Sequence, residues 1–265
     1  MFLRVLLLCL FLVSCASLVQ KAPKYISFKQ KNDSLFVVVK NNILGHSFLK
    51  ITNTKNKQDT LIHFTKPKTK KVLRFHVNEI DSTMLIKEYQ YGLYYGNPQL
   101  KKYDTLYNYG LPFLKGKRYK VLQGQKGQFS HHGDFSQYAI DFKMNVGQEI
   151  CAIRDGLVIT LKENSNIGGS DQKYTKDGNY LMIAHKDGTY SQYVHLQKNG
   201  VLVEKGDSVQ KGQVIAYSGN TGFSSEPHLH FAVYKPTKNG FVSIPYTLDS
   251  IPTGRYQKGK FAVHN

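Results

Sequence analysis

Short apolar runs alternate along this chain with polar, glycine-marked breaks, and no long helical period emerges beyond the first fifteen residues. Leu35-Phe-Val-Val-Val39, Ser47-Phe-Leu-Lys-Ile51, Val72-Leu-Arg-Phe-His-Val77 and Met84-Leu-Ile-Lys-Glu-Tyr89 read as strands, and their spacing predicts a small β-sandwich over residues 24–115. From about Tyr119 the strands become glycine-punctuated: Gly156-Leu-Val-Ile-Thr-Leu161, Asn179-Tyr-Leu-Met-Ile-Ala-His185 and Thr189-Tyr-Ser-Gln-Tyr-Val-His195. Lys186-Asp187-Gly188 joins the last two as a hairpin turn, with Gly188 supplying the positive φ. The polar stretch from Glu163 to Gly178 is expected to be an exposed loop that shapes access to a site. The predicted fold is mostly β. An N-terminal sandwich leads through a linker at Leu111-Pro-Phe-Leu-Lys-Gly116 to an antiparallel β domain over residues 119–250, with 251–265 as a tail.

The one uninterrupted apolar run, Val5 to Val13, follows Met1 and Arg4 and is too short to cross a bilayer, which takes about 20 apolar residues. It reads as the core of a secretion signal. Leu12-Val13-Ser14-Cys15-Ala16 resembles a bacterial lipobox. That resemblance implies removal of residues 1–14, lipid attachment at Cys15 and a tether over 15–23, with an ordinary secretory cleavage nearby as the alternative. Both place the protein in the bacterial cell envelope. Cys9 then leaves with the signal and Cys15 carries lipid, so Cys151 stands alone, and its apolar setting predicts a buried thiol.

Composition sharpens this picture. With 41% apolar residues, 20% charged and 22 glycines among 265, the chain can bury a core and is not disordered. Its formal charge of +18 favours polyanionic neighbours. No nucleic-acid motif is present and secretion removes access to nucleic acid, so the expected counterpart is anionic envelope material.

Candidate chemistry concentrates in three segments. In Pro227-His228-Leu229-His230-Phe231, strand geometry sends both imidazoles to one face and Leu229 and Phe231 to the other. Tyr193 and His195 share a strand face, and the segment from Ser130 to Phe142 offers His131, His132 and Asp141. Hydrolytic zinc typically takes three protein ligands and leaves a fourth position for water. His131, Asp141 and His230 would form such a set. His46, His63 and His76 have no ligand spacing and are assigned no chemistry.

Residues from about Gly124 to Tyr234 resemble the lysostaphin/LytM-type zinc metallopeptidases that cut peptide bonds in peptidoglycan. Tyr138-Ala-Ile-Asp-Phe142, Arg154-Asp-Gly-Leu-Val158, Tyr193-Val-His-Leu196, Lys205-Gly-Asp-Ser-Val209, Ser218-Gly-Asn-Thr-Gly222 and Pro227-His-Leu-His-Phe231 follow in the family's order. The resemblance implies a duplicated hybrid-motif β fold, zinc in a groove, Asp141 and His230 as ligands, and His195 with His228 beside the attacking water. One departure stands out: the position four residues before Asp141, a histidine in the family, is Gln137. His131 is preferred as the replacement, with His132 as the alternative. Tyr193 is expected either to line the groove or to be an ordinary buried tyrosine, and Glu226 to lie at the surface.

The expected function is zinc-dependent hydrolysis of peptidoglycan stem or cross-bridge peptides. The expected partners are those peptides, the membrane through the lipid anchor, and a regulatory envelope protein. The alternative is a catalytically silent relative that serves as an envelope scaffold or activates other wall hydrolases. A carrier module is a weaker rival, suggested by Gly206 to Ile215, because the modified lysine of lipoyl and biotinyl domains is missing.

Overall fold

The computed structural model describes residues 23–265, so the predicted signal and Cys15 lie outside the described residues. The N-terminal lobe begins with β1 (Ile26–Lys31), β2 (Ser34–Asn41), β3 (Ser47–Asn53), β4 (Asp59–Phe64) and β5 (Thr69–His76). A short helix α1 (Ser82–Glu88) and β6 (Tyr89–Tyr95) complete it. Two three-stranded antiparallel sheets, β1-β2-β5 and β4-β3-β6, enclose one core of Ile26, Leu35, Val37, Val39, Leu49, Phe64 and Leu85. The alternation in β2 explains this: Leu35, Val37 and Val39 face the core, while Phe36, Val38 and Lys40 face outward. The segment from Met84 to Glu88, read as a strand, is helical instead. Asp81 caps it by accepting from the Met84 N–H at 2.7 Å, and Met, Leu, Lys and Glu are good helix formers.

The C-terminal lobe is built on a large twisted sheet. Its central order runs Gly156–Lys162, Tyr180–Ala184, Tyr190–Val194, His228–Thr237, Ile140–Lys143 and Arg118–Gln123. A smaller sheet of Glu149–Cys151, Val214–Ser218 and Leu196–Val201 accompanies it, and side chains from both form the larger core. Cys151 is buried there, and loss of hydration raises its thiol to about 11, which leaves it unreactive.

The predicted linker is not one. Leu111 and Phe113 are fully buried in this core, and the Cys151 N–H donates to the Pro112 carbonyl. The C-terminal residues are equally part of the lobe: Phe261–Val263 pairs with Arg118–Lys120, and Tyr256 enters the core. In both segments a few large apolar side chains spaced among polar ones were read as connection, although each has a pocket to fill. The two lobes meet at the end of the long His228–Thr237 strand. Tyr95 and Leu44 pack beside Tyr190 and Tyr234, and Gly96, at φ +87°, lies so close to Pro236 that a Cβ would fall 2.6 Å from its ring.

Beneath the large sheet, His185 is buried between two partners. Its Nδ1–H donates to the Asp155 carbonyl at 2.9 Å and its Nε2 accepts from the Ser191 hydroxyl at 3.1 Å. Burial, with Arg154 nearby, lowers this imidazole to about 4 from an ordinary value of 6.5. Between those pH values the unfolded chain binds a proton that the folded chain refuses, so stability falls as the pH drops through that window.

Two outcomes are expected from this fold. Phe113→Ala should lower the unfolding free energy by about 3–5 kcal/mol in urea titrations, whereas a true linker residue would change it by less than about 0.5 kcal/mol. Between pH 7 and pH 4 the unfolding free energy should drop by about 3 kcal/mol through His185 alone, and His185→Gln should remove that share while leaving the share of the buried His195.

Candidate metal centre

The site rests on strand pairing. His230 lies directly opposite Asp141 across the His228–Thr237 and Ile140–Lys143 pair, and opposite Val194 on the other side. Leu229 and Phe231 are fully buried on the core face, so His228 and His230 take the opposite face and line a groove of about 1000 Å³. His131 arrives from the loop after Arg118–Gln123. A turn stabilised by the His131 N–H donating to the Gly127 carbonyl swings its ring back beside Asp141.

Three atoms converge there. His131 Nε2 lies 3.1 Å from Asp141 Oδ1 and 3.3 Å from His230 Nδ1, and His230 Nδ1 lies 2.8 Å from the same Oδ1. Ligand bonds of about 2.0–2.1 Å in a tetrahedral zinc site place ligand atoms about 3.3 Å apart, close to this spacing. The hydrogen bonding fits as well. His131 Nδ1–H donates to the Gly124 carbonyl at 2.8 Å, so neutral His131 presents a bare Nε2 lone pair to a carboxylate oxygen. Such a meeting of lone pairs calls for a cation between them. Asp141 is buried, which opposes its charge, yet the flanking imidazoles His131 and His230 hold its carboxyl well below the usual range. Burial lowers His230 too, against the pull of Asp141, so the imidazole favours the neutral form that binds metal. Among the described residues, this is the one cluster of three or more such side chains with ligand spacing.

Gln123 ties the arrangement together. Its amide Nε2 donates to Asp141 Oδ2 at 3.3 Å and to the Ser130 hydroxyl at 2.8 Å, while its Oε1 accepts from the Phe129 N–H at 3.1 Å. One side chain therefore orients the carboxylate and anchors the loop that carries His131. No sequence signal marked it, because an isolated glutamine at a strand end has no recognisable spacing.

His195 and His228 form the opposite wall, with ring centroids 4.4 Å apart. Strand alternation places His195 on the same face as Tyr193, which is the core face, but His195 has φ +65° and its ring turns into the groove. The following chain is pinned in this unusual course: the Leu196 carbonyl accepts from the Thr221 hydroxyl at 2.9 Å and from the Asn179 amide at 3.2 Å. His195 Nδ1–H donates to the Thr221 carbonyl at 2.6 Å, leaving Nε2 as the acceptor. Burial, helped by the neighbouring His228 and His230, lowers His195 to about 3. His228 is held the same way, its Nδ1–H donating to the Glu226 carbonyl at 2.8 Å.

Two other candidates fall away. Tyr193 is fully buried, its hydroxyl accepting from the Ile153 N–H at 3.0 Å and its ring packed against Phe231, so it does not line the groove. His132 is exposed, since the turn that buries His131 points its neighbour outward. Glu226 sits at the groove rim in an ion pair with Lys143. The 163–178 stretch does reach the site. Gly168–Gly169 pairs with Gly222–Phe223, and Thr175, Lys176 and Gly178 line the groove. Gly222, at φ +79°, permits this approach, because a Cβ there would meet the Gly178 backbone at 2.5 Å.

Residues 135–242 match the model of Peptidase family M23. Over 97 residues the chain is 42% identical to the Glycyl-glycine endopeptidase ALE-1 of Staphylococcus capitis, covering 36% of this chain and 24% of that protein. Over 93 residues it is 39% identical to the Peptidoglycan DD-endopeptidase ShyB of Vibrio cholerae, covering 35% of this chain and 19% of that protein. The solved structure of lysostaphin from Staphylococcus simulans aligns with 33% identity over 44% of this chain and 42% of that one, at a TM-score of 0.33. The matched segments thus span under a quarter of the two curated relatives. The family match contains Asp141, His195, His228 and His230 but begins after His131.

Calorimetric titration of metal-free protein with a divalent transition metal checks the geometry. His131→Ala should abolish stoichiometric binding and His132→Ala should leave it intact. Gln123→Ala should weaken affinity by about tenfold to a hundredfold, the range for a residue that orients a ligand.

Proposed function

We propose that this chain is a zinc-dependent endopeptidase that hydrolyses stem or cross-bridge peptides of peptidoglycan at the bacterial cell envelope, held there by a lipid on Cys15. The observation that carries this reading is the convergence of His131, Asp141 and His230 on the floor of an open groove, with two further imidazoles on the wall. The M23 match and the relatives' printed activities support it from sequence. The two functional units of the proposal, expected over 24–115 and 119–250, divide earlier and end later, since Tyr109, Leu111 and Phe113 pack in the C-terminal core and the paired segment runs to 263.

His131, Asp141 and His230 would hold zinc, which would supply a Lewis acid for the scissile carbonyl and a water of lowered pKa, about 7. The chain's own residues do the rest. His195, held through Nδ1–H on the Thr221 carbonyl, offers Nε2 to the groove, where it orients the attacking water and takes up its proton only transiently, burial disfavouring a lasting imidazolium. His228, anchored through Nδ1, places its Nε2 beside the same point, 3.9 Å from Asp141 Oδ1. The imidazolium formed by proton uptake donates to the developing oxyanion and then to the leaving amine. No glutamate base is required, and Glu226 is engaged with Lys143 at the rim.

The groove suits an extended, small-residue, acidic peptide. Gly124, Gly127 and Gly178 form parts of its wall, the first two at positions where the chain packs too closely on Tyr256 and Gln123 to leave room for a side chain, and Lys126, Lys176 and Lys258 line its edges. These lysines match the free carboxylates of stem peptides. No residue of the N-terminal lobe lines the groove, so the site opens to solvent without displacement of that lobe.

Purified protein, assayed for zinc and for release of peptide ends from peptidoglycan, tests the reading. Asp141→Ala and His230→Ala should lose both zinc and activity. His195→Ala should keep stoichiometric zinc and lose activity by about a hundredfold or more, as expected for a proton-transfer residue. Wild-type protein that binds no zinc and leaves peptidoglycan intact would instead support the scaffold or activator role.

A further inference from the structure

The N-terminal lobe carries a surface that the hydrolytic site does not use. In the sheet β1-β2-β5 the inward positions form the lobe's core, and the register assigns everything else to the outer face. Lys29 lies opposite Phe36, which lies opposite Arg74, and Lys40 lies opposite Lys70. Lys31 extends the same face at the end of β1. In the middle, Phe36, Val38 and Val72 form an apolar strip along a shallow depression of about 500 Å³. Val72 is 51% exposed, a large apolar side chain open to solvent at the centre of a charged rim. No aspartate or glutamate occupies an outward position of these three strands, and Asp33 sits in the turn between β1 and β2.

We propose that this face is a docking surface for an anionic lipid bilayer. Five cations without a counter-charge select a negatively charged occupant and disfavour a second copy of the same face. The apolar strip narrows the choice further. A soluble polyanion would neutralise the lysines and leave Phe36, Val38 and Val72 in water, whereas a membrane interface offers headgroup anions and an acyl boundary together. The chain course agrees: Ile26 follows Cys15 by eleven residues, at most about 40 Å of extended chain. The proposal rests on the envelope reading above for the nearness of the membrane. Docking would hold the N-terminal lobe flat on the lipid and turn the C-terminal lobe toward the wall.

Lysine acetylation of the full chain, read by mass spectrometry, tests the face itself. Vesicles of phosphatidylcholine with one quarter phosphatidylglycerol should slow modification of Lys29, Lys31, Lys40 and Lys70 at least fivefold, and pure phosphatidylcholine vesicles should not. Lys126 and Lys258, at the groove, should react equally in both. The triple variant Lys29→Gln, Lys31→Gln and Lys70→Gln should lose roughly a hundredfold in partitioning to the anionic vesicles, at about fivefold per basic residue, with its melting temperature unchanged. Unaltered labelling of these lysines on anionic vesicles overturns the proposal, as does protection by soluble polyphosphate without protection by vesicles. Zinc content and peptidoglycan hydrolysis of the same sample report separately on the catalytic reading.

Discussion

The site depends on one antiparallel pairing, which sets His230 directly across from Asp141 at the middle of a sheet whose other face is fully buried. A carboxylate in that position is costly unless its charge is met. Here the Gln123 amide donates to one oxygen, while His131 and His230 turn ring nitrogens to the other in a geometry that a shared cation would complete; His131 and Gln123 are themselves fixed by backbone. A one-residue slip of the His228–Thr237 strand would send Leu229 into the groove and both imidazoles into the core, so the apolar alternation that holds the register also holds the chemistry.

The proton-handling side is built on a different principle. His195 departs from strand alternation through a left-handed backbone conformation, an arrangement that costs about 1 kcal/mol or more and persists only where the surroundings enforce it. Thr221 and Asn179 enforce it from two separate loops. Because the same Thr221 carbonyl also fixes the imidazole tautomer, ring orientation and proton location are set together. The groove wall and the metal floor share the His228–Thr237 strand, and only His195 is held by a separate set of contacts.

Much of this was legible in the sequence. The alternation in Leu35 to Val39 and in Pro227 to Phe231 specified which side chains enter the core and put His228 and His230 on one face, whereas the preference for His131 over His132 beside Asp141 came from the family resemblance. The sequence missed what depends on three-dimensional closure. Leu111 and Phe113 look like a linker because Pro112 interrupts their short apolar stretch and the polar Lys115-Gly116 ends it without a strand pattern, and their burial depends on a cavity made by distant strands. Met84 to Glu88 carries apolar residues compatible with a strand, and the Asp81 cap decided for helix. Tyr193 and His195 appeared equivalent by alternation, and a single positive φ separates them into core and groove. Gln123 could not have been found, since its role comes from where two amide ends reach.

The loop holding His131 brings a candidate ligand to Asp141 from ten residues upstream, and the Gln123 amide and the Gly124 carbonyl fix it there. Anomalous X-ray scattering at the zinc edge on crystals of the purified protein measures the outcome most directly. The account predicts one peak within about 2.0–2.2 Å of His131 Nε2, His230 Nδ1 and an Asp141 carboxylate oxygen. A zinc peak coordinated through His132 or through His195 and His228, or no peak at this position in active protein, would contradict it.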